Sequence, residues 1–261
     1  MNLIKRGIIC ALRTVLPRRI KKSIVHLAYH LAPSEFEWFA HTYCIGPSMV
    51  AGLRSLSARG FSPRTIVDIG AYEGGWSKMA KETWPECGIL MFEPNKAKTA
   101  ILTQLAKDLN CRVFDHLLGA EDGSKVAFNV METGSSIMAE RSCVTREVEF
   151  RTLTTLDSLR LQLEEPALLK IDAQGYELEI LKGASSSIQS FEAVLLEIAI
   201  IEINECAPLL HEVTAFMDKL GFIASEILEI HRRPLDRAMS QIDVFFLRKE
   251  SALLADKRFS A

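Results

Sequence analysis

The stretch Val67-Asp-Ile-Gly-Ala-Tyr-Glu-Gly-Gly-Trp-Ser77 closes an apolar run with an acid, Asp68, and then passes through Gly70, Gly74 and Gly75. Glycines so placed let a chain turn sharply and bring its backbone close to a ligand. About twenty residues on, Phe92-Glu-Pro-Asn95 ends a second apolar run with Glu93, whose carboxylate can accept two hydrogen bonds from ribose hydroxyls. A dinucleotide fingerprint wants glycine where Tyr72 stands and no acid beside the pyrophosphate. Asp68 repels a pyrophosphate and attracts an ammonium or a sulfonium, so the loop favours a cationic adenosyl ligand such as S-adenosylmethionine over NAD. Both acids also have a purely architectural reading: Asp68 as the cap of the helix after the glycines, and Glu93 as the cap of a helix begun by Pro94.

These residues need a scaffold that aligns strand ends. Short apolar runs at 65–69, 88–92, 112–114, 167–171 and 193–197 alternate with amphipathic stretches at 75–83, 95–108, 176–189 and 208–220, and two further strands are expected near 222–228 and 241–247. That rhythm specifies an open, mostly parallel α/β sheet with helices on both faces. In such sheets ligands sit beyond the carboxyl ends of the strands, where Asp68 and Glu93 fall. Between 115 and 155 the rhythm changes: Glu121-Asp-Gly123 reads as a turn, and 125–130 and 146–151 alternate like antiparallel strands, giving a β insertion. Lys170 and Asp172 share one face of a strand buried on both sides. An unpaired ammonium there would cost several kcal/mol, so Lys170 requires a carboxylate from among Asp172, Asp68 and Glu197.

The charge is divided unevenly. The 261 residues hold 31 Lys and Arg against 33 Asp and Glu. Lys5, Arg6, Arg13, Arg18, Arg19, Lys21 and Lys22 all fall in residues 1–34, which contain no acid, leaving 24 cations against 33 acids and a net −9 for the remainder. Leu3, Ile4, Ile8, Ile9, Leu12, Val15 and Leu16 recur among the cations near helical spacing. The segment reads as an amphipathic packing arm or lid, with peripheral contact to an anionic membrane as the alternative. The acidic remainder has no basic patch interleaved with aromatics, so no nucleic-acid partner is expected. Residues 34–60 look helical around a Gly46-Pro47 turn. The expected organisation is thus a basic helical extension at 1–60, an α/β domain at 61–250 and a short tail at 251–261.

Composition excludes other classes. Hydrophobic residues at 48%, charged residues at 25%, 14 Gly and 9 Pro fit a folded globular chain rather than a collagen-like or disordered one. No apolar run approaches the roughly eighteen residues of a membrane span, and the apolar segment at 7–12 is short for a signal peptide, so a cytoplasmic location is expected. Six cysteines without a C-x-x-C pair read as reduced thiols, and His26 and His30 lack nearby carboxylates, so no metal is expected of them.

Against this background the chain from about Thr65 to Leu247 resembles the FkbM-type methyltransferases of the class I S-adenosylmethionine-dependent fold. The resemblance is carried by Val67-Asp-Ile-Gly-Ala71 with Gly74, by Phe92-Glu-Pro-Asn95, by Leu169-Lys-Ile-Asp-Ala-Gln-Gly-Tyr-Glu-Leu-Glu-Ile-Leu-Lys-Gly-Ala184, by Leu196-Glu197 and by Asp243-Val-Phe-Phe-Leu247. Tyr72 stands where Asn is common in the family, and Gln174 where Glu is common. The resemblance implies a Rossmann-like seven-stranded sheet of order 3-2-1-4-5-7-6, its last strand antiparallel. It also implies methyl transfer to a hydroxyl of a sugar, a glycan precursor or another small metabolite.

Carried onto this sequence, the cofactor would meet Asp68, Gly70, Ala71, Tyr72, Gly74, Glu93, Pro94 and Asn95, and its adenine would meet Asp115, His116 and Leu118. Ser135, Ser136 and Gln174 would line the acceptor pocket. Asp172 is the first choice of general base, with Glu177 and Glu197 as alternates. Three such carboxylates would also suit Mg²⁺, but no ligand spacing demands it and the metal-free reading is preferred. The competing readings are a binding module that keeps the fold without the chemistry and a nicotinamide oxidoreductase.

Overall fold

The structure, a computed structural model, describes residues 47–131, 134–141 and 146–260, with eight further positions between 17 and 32. The chain divides into two compact units, Met1–Gly46 and Pro47–Ala261. The expected helix over 1–34 lies largely outside the described residues, although positions 19, 20, 23, 24, 27 and 31 are helical.

In the second unit a helix, α1 (Met49–Ala58), buries Met49, Leu53 and Leu56, the apolar face its spacing predicts. The main sheet then follows as β1 (Thr65–Ile69), α2 (Gly75–Thr83), β2 (Gly88–Phe92), α3 (Thr99–Leu109) and β3 (Arg112–Phe114). After the insertion come β7 (Ala167–Ile171), α4 (Glu177–Lys182), β8 (Phe191–Ala199), α5 (Leu210–Lys219), β9 (Phe222–Arg232) and β10 (Met239–Arg248). The sheet order is β3-β2-β1-β7-β8-β10-β9, with β10 antiparallel to both its neighbours. It is the 3-2-1-4-5-7-6 arrangement implied by the resemblance.

Every residue of β1 and β7 is buried, as a central parallel strand covered by helices on both faces requires. The period of two sends Val67, Ile69, Leu169 and Ile171 to one apolar cluster and Ile66 and Leu168 to the other. Asp68 and Lys170 therefore share the face of Ile66 and Leu168. They are also register partners across β1 and β7.

The β insertion is a separate sheet of β4 (Leu117–Leu118), β6 (Glu147–Thr154) and β5 (Lys125–Val130), in that order. β5 and β6 pair antiparallel as the alternation predicts, whereas β4 joins β6 in parallel.

Several boundaries differ from expectation. The helix expected over 95–108 begins as a short 3-10 turn at Lys96–Lys98, capped by Asn95 Oδ1 accepting from Ala97 N, and becomes α-helical only at Thr99. The helix expected over 176–189 stops at Lys182. There Gly183 packs so closely that a Cβ would lie 2.0 Å from the Gly119 carbonyl oxygen, and Asp157 accepts hydrogen bonds from the Ser186 and Ser187 amides. The last two strands run longer than expected, because each satisfies the other's backbone along a ladder with three register shifts.

Two features set the loops at the carboxyl end of the sheet. Gly70 has φ +76°, and a Cβ there would stand 1.9 Å from the Asp172 carbonyl oxygen, so the turn after β1 and the end of β7 touch through backbone alone. The loop after β7 runs through Gln174 at φ +54° and Gly175 at φ +100°. It is held from beneath by Glu177 Oε1, which accepts from Ala173 N and Gly175 N, each at 3.0 Å.

Gly70→Ala is expected to cost at least about 3 kcal/mol of stability, read by urea denaturation, because both the backbone conformation and the clash oppose it. Burial pushes the Glu177 carboxyl up to about 7, against the backbone N–H bonds that favour its charged form. A carboxyl raised in the native state binds a proton that the unfolded chain has already lost. Its contribution is therefore most favourable at acid pH and declines as pH rises through about 7. Glu177→Gln keeps an oxygen acceptor without the charge. It should remove a loss of about 2 kcal/mol between about pH 5 and pH 8, measured by the same denaturation.

Candidate functional site

Beyond the carboxyl ends of β1, β2 and β7 lies a cavity also lined by residues of the insertion. Its wall includes Gly70, Tyr72, Glu93, Pro94, His116, Leu118, Ser135, Ser136, Asp172 and Gln174, with Phe128, Ile137 and Tyr176 supplying apolar surface. Nine of those first ten are expected from the sequence in the cofactor or acceptor site, and the tenth, Asp172, as the general base. The two acids Glu93 and Asp172 face the space, and among the described residues its lining contains no Lys or Arg.

Each loop around the cavity is pinned by named bonds. Glu93 Oε2 accepts from Tyr72 N and Oε1 from Asn95 N, both at 2.8 Å, so one carboxylate ties the turn after β1 to the loop after β2. Burial raises the Glu93 pKa, with the two amides working in the opposite direction. Lys98 reaches over the Tyr72 ring and bonds its hydroxyl at 3.1 Å and Glu73 at 2.9 Å, steadying a non-glycine residue at φ +50°. Ser136 Oγ donates toward the carbonyls of Ala173 and Gln174, at 3.2 and 3.0 Å, and accepts from Met138 N. Ser135 Oγ is taken up by the Met131 backbone. Both serines thus line the cavity while their hydroxyls fasten the insertion.

Other expected residues lie behind the wall. Asp68 is fully buried: Oδ2 accepts from Ser77 Oγ at 2.6 Å, and Oδ1 faces Lys170 Nζ at 3.0 Å. Lys170 Nζ also donates to the Gly70 carbonyl at 3.1 Å and stands 3.6 Å from Asp172 Oδ2. Burial alone would lower the Lys170 pKa, but Asp68 and Asp172 outweigh it and raise it, so the ammonium stays charged. Asp68 accordingly meets Lys170 rather than a ligand. Ala71 packs in the core, and Gly74 is the left-handed cap of α2, where a Cβ would strike Leu105 at 2.1 Å. Asn95 caps its short turn, Asp115 is paired with Arg151, and Glu177 lies beneath the loop.

Asp172 and Glu197 are joined by one amide. Gln174 Nε2 donates to Asp172 Oδ1 at 3.0 Å and to Glu197 Oε2 at 2.6 Å, and Gln241 Nε2 donates to the same Glu197 oxygen at 2.8 Å. Burial, followed by the charges of Asp172, Asp243 and Glu177, raises the Glu197 pKa well above the ordinary carboxyl range. Glu197 therefore binds a proton more readily than an exposed carboxyl does.

The row continues to residues that sequence reasoning did not assign. Asp243 lies opposite Glu197 in the β8–β10 register, and its Oδ2 accepts from His231 Nε2 at 2.7 Å. That bond leads the causes that raise the His231 pKa. Arg151 is the other omission: it holds the Pro94 carbonyl at 2.7 Å as well as Asp115. An acid inside an otherwise apolar buried strand was a visible signal for Asp243. The alternation of β6 does not point Arg151 to the site, since its cavity-side partners Pro94 and Asp115 lie 57 and 36 residues away, although Glu149 on the same strand is 3.6 Å from it. Trp76 is buried in the core with Lys170 Nζ 5.8 Å from its ring, and its indole N–H has no hydrogen-bond partner among the described residues.

The backbone itself forms part of the wall at Gly134, φ +86°, where an added Cβ would find nothing nearer than Gln174 Oε1 at 3.8 Å. A cleft walled by carboxylates without a lining cation suits a sulfonium and an ammonium and is unsuited to a pyrophosphate. The residues present fit S-adenosylmethionine.

The Methyltransferase FkbM domain pattern matches residues 68–224. No curated protein matches the sequence. Among solved structures, the precorrin-6y C5,15-methyltransferase of Geobacter metallireducens is similar at 14% identity, over 76% of this chain and 88% of its own, with a TM-score of 0.44. The 1,6-didemethyltoxoflavin-N1-methyltransferase of Burkholderia thailandensis, bound to S-adenosylhomocysteine, is similar at 9% identity, over 88% of each chain, with a TM-score of 0.42. TrmK of M. capricolum, also holding S-adenosylhomocysteine, is 7% identical over 77% of this chain and 67% of its own, with a TM-score of 0.45. With its domain pattern spanning more than half of its length, on a sheet of the expected strand order, this chain belongs to the FkbM family of S-adenosylmethionine-dependent methyltransferases.

Proposed function

We propose that the protein methylates a hydroxyl oxygen of a sugar, a glycan precursor or another small hydroxylated metabolite. The observation that carries this reading is Asp172: a carboxylate on the cavity wall at the end of β7, backed by Lys170 and bridged through Gln174 to Glu197. S-adenosylmethionine, when bound, supplies an electrophilic methyl group for in-line displacement. Glu93 has both oxygens fixed by backbone amides and keeps lone pairs for ribose hydroxyls. Asp172 would orient the acceptor hydroxyl and take its proton as the C–O bond forms, a role worth roughly 10² to 10⁴ in rate. Holding nucleophile and methyl in line supplies most of the remainder.

The polar row running from Asp172 past Glu197 to Asp243 and His231 supports an acceptor with several hydroxyls rather than an apolar one. At the cavity wall it offers the Asp172 carboxylate and the Gln174 amide, and behind the wall it continues across β8, β10 and β9 through Glu197, Asp243 and His231. As a donor between two carboxyls, Gln174 does for them what a bridging cation would, which favours the metal-free scheme over one using Mg²⁺. Free thiols at Cys87, Cys111 and Cys206 accord with the cytoplasmic setting that we adopt for the reaction.

The direct test is mass spectrometry of metabolite and glycan extracts incubated with methyl-labelled S-adenosylmethionine, with and without the protein. A labelled methyl ether is the expected product. Calorimetric binding of the donor with no labelled product in any extract would favour the binding-module reading instead. Asp172→Asn should preserve donor binding and lower turnover at least about 10²-fold, and full turnover in that variant removes Asp172 from the mechanism. Glu93→Ala should weaken donor binding at least about tenfold by calorimetry, through lost ribose contacts and two released loops.

A further inference from the structure

We infer that the segment 1–34 carries a docking surface for an anionic lipid bilayer. Ile20, Ile24, Leu27 and Leu31 occupy helical positions at intervals of four, three and four residues, the spacing that keeps side chains on one face. All four are exposed, at 46%, 52%, 58% and 75%. A contiguous aliphatic stripe in water is a surface that gains free energy when covered.

The charges around it select the cover. Arg19 is exposed beside Ile20, and the sequence supplies Lys5, Arg6, Arg13, Arg18, Lys21 and Lys22 with no acid before Glu35. Protein partners offer apolar surface with mixed charge at the rim. A bilayer interface offers hydrocarbon beneath a uniform layer of phosphates, which matches aliphatic side chains in a segment whose sequence holds seven cations and no acid. The contact would be peripheral, since no apolar run in residues 1–34 approaches the roughly eighteen residues of a membrane span. The net −9 of the remaining chain makes this segment the part that an anionic surface would attract.

The test is co-sedimentation of the full-length protein with vesicles of phosphatidylcholine alone or of phosphatidylcholine mixed with phosphatidylglycerol. The expected result is partitioning onto the mixed vesicles at least about tenfold stronger than onto the neutral ones, weakening as salt rises from about 0.1 M to about 1 M. Lys21→Glu with Lys22→Glu, and separately Ile24→Asp with Leu27→Asp, should each reduce that partitioning on the order of tenfold or more, with calorimetric S-adenosylmethionine binding unchanged. Equal or absent sedimentation with the two vesicle types overturns the inference. So does retention by both double variants, a dimer that Ile24→Asp with Leu27→Asp dissociates, or release from the mixed vesicles by duplex RNA at matched ionic strength. None of these readings depends on the methyl acceptor.

Discussion

A charged ammonium sits in the middle of the sheet, and the candidate site is built around it. Lys170 Nζ meets Asp68 on β1, the Gly70 carbonyl in the turn that follows and Asp172 at the end of its own strand, so one side chain links three parts of the rim. Burying an ammonium is costly, and replacing a buried ion pair by apolar residues often leaves a fold no less stable. Removing one member alone is different, since it strands the others at a typical cost of about 3–5 kcal/mol. What the ion pair contributes beyond stability is placement: it holds the glycine turn against the end of β7 and sets a positive charge behind the carboxylate that faces the cavity.

The acids of the rim are chemically alike and are separated in role by their partners. Asp68 and Glu177 spend their oxygens on protein donors and act as fixtures. Glu93 does both, anchoring two loops while facing the cavity. Glu197 is buried among other acids, which raise its pKa, while Asp172 stands on the wall with a cation behind it and an amide beside it. Burial thus favours the neutral form of Glu197, while its neighbour Asp172 is the carboxyl that opens on the cavity.

Much of this arrangement was legible in the sequence, because it follows from local period and burial. The alternation of runs placed strands and helices, and a lysine on a doubly buried strand demanded a carboxylate within reach, which Asp68 and Asp172 supply. Legibility ended where long-range contact decides. An acid two residues before a glycine turn reads as a ligand-facing group, and only the register of β1 with β7 shows that it meets Lys170 instead. Gly74 reads as a ligand glycine, but the space it leaves is filled by Leu105 from α3. The His231–Asp243 pair depends on a β9–β10 ladder with register shifts, which no spacing rule anticipates. The helix after β7 ends early because Gly119, sixty-odd residues back, presses on Gly183.

The loop that carries Gln174 shows why an amide suits this position. With Glu there, a third carboxyl would sit between Asp172 and Glu197, and mutual repulsion would have to be relieved by protonation or by a bound cation. The amide supplies a donor to both neighbours instead, at 3.0 and 2.6 Å, and needs neither. It does so from a left-handed backbone, a conformation that persists only when the surroundings over-determine it. Glu177 grips the loop from below and Ser136 from the insertion, so nearly every polar group of the loop is already committed to protein. An incoming acceptor therefore meets a fixed Asp172 rather than a mobile loop, and such preorganisation is where methyl transfer gains most of its rate.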